Sequence, residues 1–214
     1  KTLAPKLKAL LARLPTGKVP AVKHTLAVAA GDFVEIQPRQ QAIVFQAFPG
    51  PGILSSDYMA SEVADELFSG MSSNLFERVR EQKSLAYFVR SSRLVGLHTG
   101  MFYFYAGTSP QRYEEVITEL NLEIKRVLAG KVTLEELSRC QTRLKAGKRM
   151  GLQTNSARAM QSVLNAVYGL PVNDWRTYDA RVDAVSLVDI QKFAQKYFRP
   201  EERVQLVVKP ETSA

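Results

Sequence analysis

The stretch from Phe68 to Tyr87 reads FSGMSSNLFERVREQKSLAY and decides how the rest of the chain is interpreted. A short helix is predicted from about Ser73, because a serine-glycine break precedes it and apolar residues then recur at helical spacing. A strand is predicted to follow from Ala86. Arg80 therefore lies at the end of the helix and Tyr87 at the start of the strand, seven residues apart.

Ordinary propensities explain this pair of residues without any function. A cation at the C-terminal end of a helix complements the negative end of the helix dipole, and aromatic side chains are common in strands. From composition alone, Arg80 and Tyr87 are therefore interpreted as structural.

Length and composition bound the class of protein. The chain has 214 residues, of which 45% are hydrophobic, and this is enough for one sizeable core or two small ones. No run approaches the ~20 apolar residues of a membrane helix, and no signal peptide is visible. The sequence begins with Lys1, as expected of a processed chain or an excised piece. The single cysteine, Cys140, excludes an internal disulfide and is predicted to be a buried thiol.

The charge balance is basic, with a formal net charge of +8 and a pI near 9.6. Such a charge suits nucleic acid, acidic lipid or an acidic partner. However, the Lys and Arg residues are scattered and interleaved with Asp and Glu. No helix-turn-helix, zinc-finger or RNP pattern is present, so nucleic acid is not an expected partner.

A first helix is predicted from leucines at helical spacing, Leu3, Leu7, Leu10, Leu11 and Leu14. Pro15 and Gly17 end this helix, and residues 15–23 are expected to be a linker. The predicted division is a linker and helix from a preceding segment over residues 1–20, and a single domain over residues 21–214.

The secondary-structure elements of this domain are predicted from hydrophobic periodicity and from the capping, Gly and Pro residues at their ends. Strands are predicted over Ala42–Phe48, Ala86–Val95, Met101–Tyr105 and Val204–Val208. Helices are predicted after Ser55, from Ser109-Pro110 to Gly130, from the capping box of Thr133 and Glu136, over Ser156–Tyr168, and from Ser186 to Pro200.

The order of these elements predicts the fold class. The second and third strands form an antiparallel hairpin, and MFYFY at Met101–Tyr105 is apolar on both faces, as in a central strand. Pro49-Gly50-Pro51-Gly52 is expected to be a loop. Strand, two helices, hairpin, several helices and strand predict an α+β fold, a mostly antiparallel sheet with helices packed on one face.

Most hydrolytic and phosphate-binding motifs are absent from the sequence. The only histidines are His24 and His98, and neither stands in H-x-x-E-H, H-E-x-x-H or H-x-E. His98 is expected in a solvated hairpin turn. G-x-S-x-G and the glycine-rich phosphate loops are missing too, and paired carboxylates such as Asp65-Glu66 have the spacing of a solvated helix face. No metal site is therefore expected in this chain.

The pattern F-x-G-M-S-S-x-L-F-x-x-V-R-E-x-x-x-L-A-Y at residues 68–87 resembles the second-domain signature of the pitrilysin-type zinc peptidases. These inverzincins include insulin-degrading enzyme and the mitochondrial processing peptidase. The resemblance covers about residues 20–210, including the strand at Met101–Tyr105, the helix opened by Thr133 and the ending Tyr197-Phe198-x-Pro200. It implies the C-terminal, non-zinc domain of a subunit with the processing peptidase-like fold.

The resemblance also implies a division of labour between domains. The zinc motif H-x-x-E-H lies in another domain, so zinc is the cofactor of the partner domain and this chain alone is inactive. Tyr87 is implied as a catalytic residue that directs its hydroxyl at the oxyanion, and Arg80 as a substrate-binding residue for a peptide carbonyl or carboxylate. Many relatives have glycine where Ser84 stands, so Ser84 is expected in a glycine-like conformation.

The implied partners are a zinc-bearing N-terminal domain or partner subunit, an unfolded peptide substrate, and a second half in a dimeric assembly. The implied function is a peptide-degrading or peptide-processing metalloendopeptidase of bacterial type. The alternative is a non-catalytic structural or peptide-binding subunit of the same fold. The compartment is unassigned, with the periplasm favoured over the cytoplasm.

Overall fold

The computed structural model describes residues 3–15, 17 and 29–211. The predicted boundary between residues 20 and 21, most of the predicted linker, and His24 lie outside these residues. The helices are α1 (Leu3–Leu11), α2 (Tyr58–Ser69), α3 (Asn74–Phe76), α4 (Tyr113–Leu128), α5 (Leu134–Gly151), α6 (Asn155–Val167), α7 (Tyr178–Asp183) and α8 (Leu187–Tyr197). The strands are β1 (Gly31–Ile36), β2 (Ala42–Pro51), β3 (Ala86–Val95), β4 (Thr99–Thr108) and β5 (Val204–Lys209).

The five strands form one mixed sheet in the order β1-β5-β2-β4-β3. Only the β1–β5 pair is parallel, and the other neighbours are antiparallel. The predicted hairpin is β3–β4, and β4 is central, between β2 and β3. The predicted α+β fold with a mostly antiparallel sheet is confirmed.

Helices α2, α4 and α8 pack on one face of the sheet around a cluster of phenylalanine rings. The rings of Phe68 and Phe104 are 4.9 Å apart between centroids, and those of Phe102 and Phe198 are 5.1 Å apart. All four side chains are buried, and aromatic pairs in these geometries add to the stabilisation from area burial alone. The predicted packing of helices on one face is confirmed.

The opposite face of the sheet carries a row of partly exposed aromatic rings. Phe45 of β2 stacks on Tyr103 of β4 at 5.0 Å between centroids, and Tyr103 lies 5.9 Å from Tyr105. Arg90 of β3 lies over the Tyr105 ring at 5.3 Å. We call Phe45, Tyr103 and Tyr105 the open-face rings. They explain why MFYFY is apolar on both faces of the strand.

The predicted loop Pro49-Gly50-Pro51-Gly52 is wrong, because β2 continues to Pro51 and pairs with β4 along its whole length. Proline lacks a backbone N–H and is tolerated in a sheet where no partner needs that donor. Strand β5 pairs with β2 only as far as Ala47. Pro49 and Pro51 therefore lie where that side of β2 has no neighbouring strand.

Two predicted helix starts are also wrong. Helix α2 begins at Tyr58 rather than at Ser55, whose Oγ accepts a hydrogen bond from Asp57 N–H at 3.1 Å. Helix α4 begins at Tyr113, because the residues after Ser109 form a turn closed by the Arg112 N–H on the Ser109 carbonyl. In both places a turn with a serine precedes the helix, and its sequence resembles that of a helix N-cap.

The remaining signals at helix starts are confirmed, but two elements were not predicted. The capping box of Thr133 and Glu136 opens α5, and Ser186 opens α8 in the same way with Asp189. Cys140 is buried in α5 as predicted, and burial raises the pKa of its thiol to about 12. Strand β1 and helix α7 have no counterpart in the sequence predictions.

Candidate active site

The helix predicted from Ser73 begins there and then widens. The Ser73 hydroxyl accepts a hydrogen bond from Phe76 N–H at 3.1 Å and caps α3. From Glu77 to Gln82 the chain continues as π-helical turns, a rare conformation that occurs often at functional sites. The Leu85 N–H then donates to the Val79 carbonyl at 2.8 Å. This bond holds the start of β3 against the helix.

Ser84 makes the reversal between the helix and the strand. Its φ is +48°, and it is the one residue other than glycine with a positive φ within the described part of the chain. Left-handed backbone is costly for residues with a Cβ. The expected glycine-like conformation of Ser84 is confirmed.

Tyr87 is the extra residue of a β-bulge. In the β3–β4 ladder Ala86 pairs with Thr108 and Phe88 pairs with Gly107, so Tyr87 has no opposite residue. Its side chain is 60% exposed. A bulge redirects a side chain relative to the alternation of a regular strand. Because β3 is an edge strand, the phenol has open space around it.

Gly107 permits a close contact with the residue that follows the bulge, Phe88. The Phe88 ring lies over Gly107, and a Cβ added at Gly107 would stand 2.4 Å from that ring. Phe88 also contacts the Tyr105 ring at 5.7 Å between centroids. The strand after Tyr87 is therefore fixed by packing, while Tyr87 itself remains exposed.

Arg80 lies on the exposed side of the π-helical turns. Its guanidinium stands over the Phe76 ring at 5.1 Å, and its side chain is 50% exposed. Its ion pair with Glu81 is long, at 4.0 Å between Arg80 Nε and Glu81 Oε1, and both partners are exposed. Such pairs contribute little, so most of the guanidinium donors are available to a ligand.

Beneath Arg80, a buried charge network anchors the same helix to α4. Arg78 donates to Glu119 and, at 3.3 Å, to Glu123. Lys83 Nζ lies 2.5 Å from Glu119 Oε1. Burial acts to raise the pKa of the Glu119 carboxyl, but the hydrogen bonds from Lys83 and Arg78 outweigh it and hold that pKa below its usual value. Glu119 is therefore an ionised anchor at neutral pH.

The network continues into α5. Arg126 bridges Glu123 and Glu136, at 2.8 Å to each carboxylate. Asn74, the first residue of α3, donates to Glu136 Oε1 at 2.7 Å. Three nearly buried carboxylates on two long helices thus hold both ends of the helix that carries Arg80. A rigid support of this kind fixes where the guanidinium lies.

No set of His, Cys, Asp and Glu side chains suitable for a metal ion occurs among residues 3–15, 17 and 29–211. A zinc ion needs three or four such ligands close together, so these residues do not fit one. In the same part of the chain, no helix has the length and apolar character needed to cross a bilayer.

The family model described as the Peptidase M16 inactive domain matches residues 1–144. This chain belongs to that family. The resemblance to the pitrilysin-type zinc peptidases is thereby confirmed, and the match includes the stretch that carries Arg80 and Tyr87.

Two curated relatives of this M16 domain are named uncharacterized zinc proteases. The one from Rickettsia bellii is 31% identical over 133 residues, which is 61% of this chain and 32% of that protein. The one from Streptomyces coelicolor is 32% identical over 133 residues, or 61% of this chain and 29% of that protein. The chain therefore spans about a third of the length of these relatives.

Two solved structures share the fold. A protease from Helicobacter pylori has a TM-score of 0.85 at 20% identity, covering 97% of this chain and 53% of that one. A peptidase M16 inactive domain from Pseudomonas fluorescens has a TM-score of 0.85 at 19% identity, covering 98% and 51%. At these identities the likeness establishes the fold.

The structure places both predicted site residues on the exposed surface of one reversal, on either side of Ser84. Sequence reasoning missed the bulge and the π-helical turns that orient them. The spacing of seven residues from Arg80 to Tyr87 was the available signal, but it does not reveal the local backbone. The buried network of Arg78 and Arg126 was missed as well, because it joins Asn74 and Arg78 to carboxylates that are 41 to 62 residues away in sequence.

Proposed function

We propose that this chain is the non-zinc half of a peptide-degrading or peptide-processing metalloendopeptidase. In this role it completes the active site of a zinc-bearing domain by binding substrate and stabilising the oxyanion. Membership of the M16 inactive domain family supports the proposal, as do relatives named zinc proteases that are about three times longer than the matched part. When bound in the partner domain, zinc would supply the activated water.

The observation that carries the proposal is the position of Tyr87. A β-bulge at the start of an edge strand leaves the Tyr87 phenol exposed. In a regular ladder, the Tyr87 side chain would instead follow the alternation of side chains along the strand. In the proposed role the Tyr87 hydroxyl donates a hydrogen bond to the oxygen that becomes negative as the peptide carbonyl is attacked. One such donor is typically worth ~2.7–4 kcal/mol of the barrier.

Arg80 supplies the second group of the proposed site. Its guanidinium lies over the Phe76 ring, and the helical turns that carry it are anchored by the hydrogen bond of Arg78 with Glu123. It would bind a backbone carbonyl or a carboxylate of an extended peptide through charge-assisted hydrogen bonds. Because such a contact is made before and during the reaction, Arg80 is expected to act on binding more than on the chemical step.

Two apolar surfaces offer contact area for the zinc-bearing domain. The open-face rings form one of them. The other is the outer side of α6, where Met160, Val163 and Val167 are 60%, 59% and 72% exposed. Aromatic rings and methionine are enriched in protein interfaces, and contiguous exposed apolar patches mark such interfaces. A two-half assembly would cover both surfaces.

The test is hydrolysis of a quenched, unstructured peptide by the assembly of this chain with its zinc-bearing domain. We expect Tyr87→Phe to lower kcat by about 100- to 1000-fold with little change in KM, because the hydrogen bond forms only as charge develops. We expect Arg80→Gln to raise KM by about tenfold or more, since it removes a charge-assisted contact.

Tyr197→Phe is the matched control, because it removes one phenol hydroxyl from the C-terminal end of α8, outside the proposed site and both apolar surfaces, and should leave both constants unchanged. Chelator-sensitive cleavage by the unmodified assembly is required. Equal kcat values for the unmodified assembly and Tyr87→Phe would exclude the oxyanion role. Peptide binding without any cleavage, with zinc supplied, would support the alternative of a non-catalytic peptide-binding subunit.

A further inference from the structure

A cavity lies away from the proposed active site, between the end of α5, the start of α6 and the segment that leads into α7. Its volume is about 340 Å³, within the range of small-molecule sites. Four cations line it: Lys148, Arg149, Arg158 and Arg176. One carboxylate, that of Asp179, lines it as well.

Three of the four cations of this basic pocket lack an acidic partner. Arg149 is paired with Asp179, at 2.5 Å between its Nη2 and Oδ2. Lys148, Arg158 and Arg176 make no ion pair with any carboxylate of the described residues. Arg158 Nε instead donates to the Leu152 carbonyl at 2.7 Å, across the α5–α6 connection. The pocket therefore carries an uncompensated positive charge.

The absence of an acidic partner matters most for Lys148. Its side chain is partly buried, with Nζ over the Tyr178 ring at 5.1 Å and 3.1 Å from Gln161 Oε1. Burial lowers the pKa of the ammonium, and the more distant Glu62 and Asp174 only partly offset this effect. Charges removed from water are normally compensated by a partner charge. An anion in the pocket would provide that partner.

The wall of the pocket is aromatic. Trp175 lines it, and the Arg176 guanidinium lies over its ring at 5.3 Å. A guanidinium that stacks on a ring presents its donors in a fixed plane. Planar forks of this kind match the oxygens of a phosphoryl group and can bind them in pairs.

We propose that the basic pocket is a binding site for a phosphoryl anion that carries two or more negative charges. Three unpaired cations exceed what one carboxylate would neutralise, and three of the four lining cations are guanidinium groups. The phosphoryl group belongs either to a free inorganic anion or to a nucleotide whose base contacts Trp175. The site is separate from Arg80 and Tyr87, and its test does not depend on peptidase activity.

The experiment uses the only tryptophan of the chain, Trp175, as a reporter in the pocket. Sodium pyrophosphate is titrated into the 214-residue chain at low salt while tryptophan fluorescence is followed, and calorimetry gives an independent Kd. Sodium chloride at matched ionic strength is the blank. We expect saturable binding of one pyrophosphate that weakens as salt is added.

Variants of the lining residues test whether pyrophosphate binds in the basic pocket. We expect Lys148→Gln and Arg158→Gln each to weaken pyrophosphate binding by about tenfold or more. Arg139→Gln, which makes the same change of charge on α5 outside the pocket, should leave Kd unchanged. Arg158 is exposed, so its variant keeps the test valid if replacement of the partly buried Lys148 disturbs folding.

Adenosine triphosphate and citrate complete the test. Binding of the nucleotide at least tenfold tighter than of inorganic triphosphate would identify a nucleotide site, and equal binding would identify a site for the phosphoryl group alone. Citrate that binds as tightly as pyrophosphate would overturn the phosphoryl assignment. A response no larger than that to sodium chloride, or an equal loss in Arg139→Gln, would overturn the site itself.

Discussion

Ser84 holds a φ of +48° at the reversal between the proposed substrate-binding helix and β3. In this conformation a Cβ crowds the following carbonyl, at a cost of about 1–2 kcal/mol. Glycine avoids the clash but loses more backbone freedom on folding. We therefore expect Ser84→Gly to raise the free energy of unfolding by about 0.5–1 kcal/mol, seen in urea as a higher midpoint with an unchanged m-value.

The control for Ser84 is a serine-to-glycine change in ordinary helical backbone. Ser162 lies within α6, and its replacement by glycine is expected to lower the free energy of unfolding by about 0.5 kcal/mol. If Ser84→Gly lowered stability as much as Ser162→Gly, the positive φ would not be a source of strain.

At the same scale, the residues of the proposed site could be named from the sequence, but their geometry could not. The motif that ends in Leu85-Ala86-Tyr87 pointed to Arg80 and Tyr87 through a family resemblance, whereas propensity alone favoured structural roles. The bulge at Tyr87 depends on how β3 pairs with β4. Register of this kind is set by the partner strand and cannot be read from the residues of one strand.

Among the elements, the helix carrying Arg80 is anchored to the carboxylates of Glu123 and Glu136, which Arg126 holds in place. This guanidinium lies between Glu123 and Glu136, whose side chains are 1% and 9% exposed. Removing one partner of a buried pair leaves an uncompensated charge, which typically costs about 3–5 kcal/mol. We expect Arg126→Ala to destabilise the chain by about 3 kcal/mol at pH 7, measured by urea unfolding.

The effect of Arg126→Ala should depend on pH. Burial acts to raise the pKa of Glu136, but hydrogen bonds from Arg126 and Thr133 lower it overall. A lowered pKa in the folded state gives stability that is present above the unfolded value and lost as pH falls through the folded value. The stability difference between wild type and Arg126→Ala should therefore shrink below about pH 4.5.

Arg199→Ala is the matched control for this element. Arg199 pairs with Glu202 on the surface after α8, with side chains 48% and 32% exposed. Exposed pairs contribute about 0–1 kcal/mol. A loss in Arg199→Ala as large as that in Arg126→Ala would contradict the assignment of the buried network as the support.

The sequence predicted helix starts well where the deciding contacts join residues that are close together in the chain. The capping box of Thr133 and Glu136 is complete within four residues and was predicted correctly, and Ser186 was predicted correctly as the start of the last helix. Pro49 and Pro51 were misread because their tolerance depends on where β5 stops pairing with β2. Whether proline breaks a strand is decided by the neighbouring strand, which the local sequence does not contain.

For the molecule as a whole, we expect the two faces of β4 to have different roles, one in association with the zinc-bearing domain and the other in the stability of the core. Tyr103 belongs to the open-face rings, whereas Phe104, next in sequence, is fully buried on the core face. We expect Tyr103→Ser to weaken association with the zinc-bearing domain by about tenfold or more, as aromatic interface residues do. The isolated chain should lose only about 1–2 kcal/mol of stability, because Tyr103 is partly exposed and its loss removes ring contacts with Phe45 and Tyr105.

Phe104→Ala provides the contrast, since a large buried ring lost from the core typically costs about 3–5 kcal/mol. Association is measured by titration calorimetry and stability by urea unfolding. Tyr103→Ser that bound the zinc-bearing domain with unchanged affinity would exclude the open face as part of the interface.

The bulge at Tyr87 has a consequence beyond the direction of one phenol. It interrupts the backbone ladder at the start of β3, an outer strand of the sheet, and the exposed Arg90 places a charge farther along the same strand. Regular, uncharged outer strands recruit extended chains and grow into aggregates. In the proposed role this strand would meet unfolded polypeptide continually. In that role, an irregular and charged border would let the domain work beside such chains without templating a fibril.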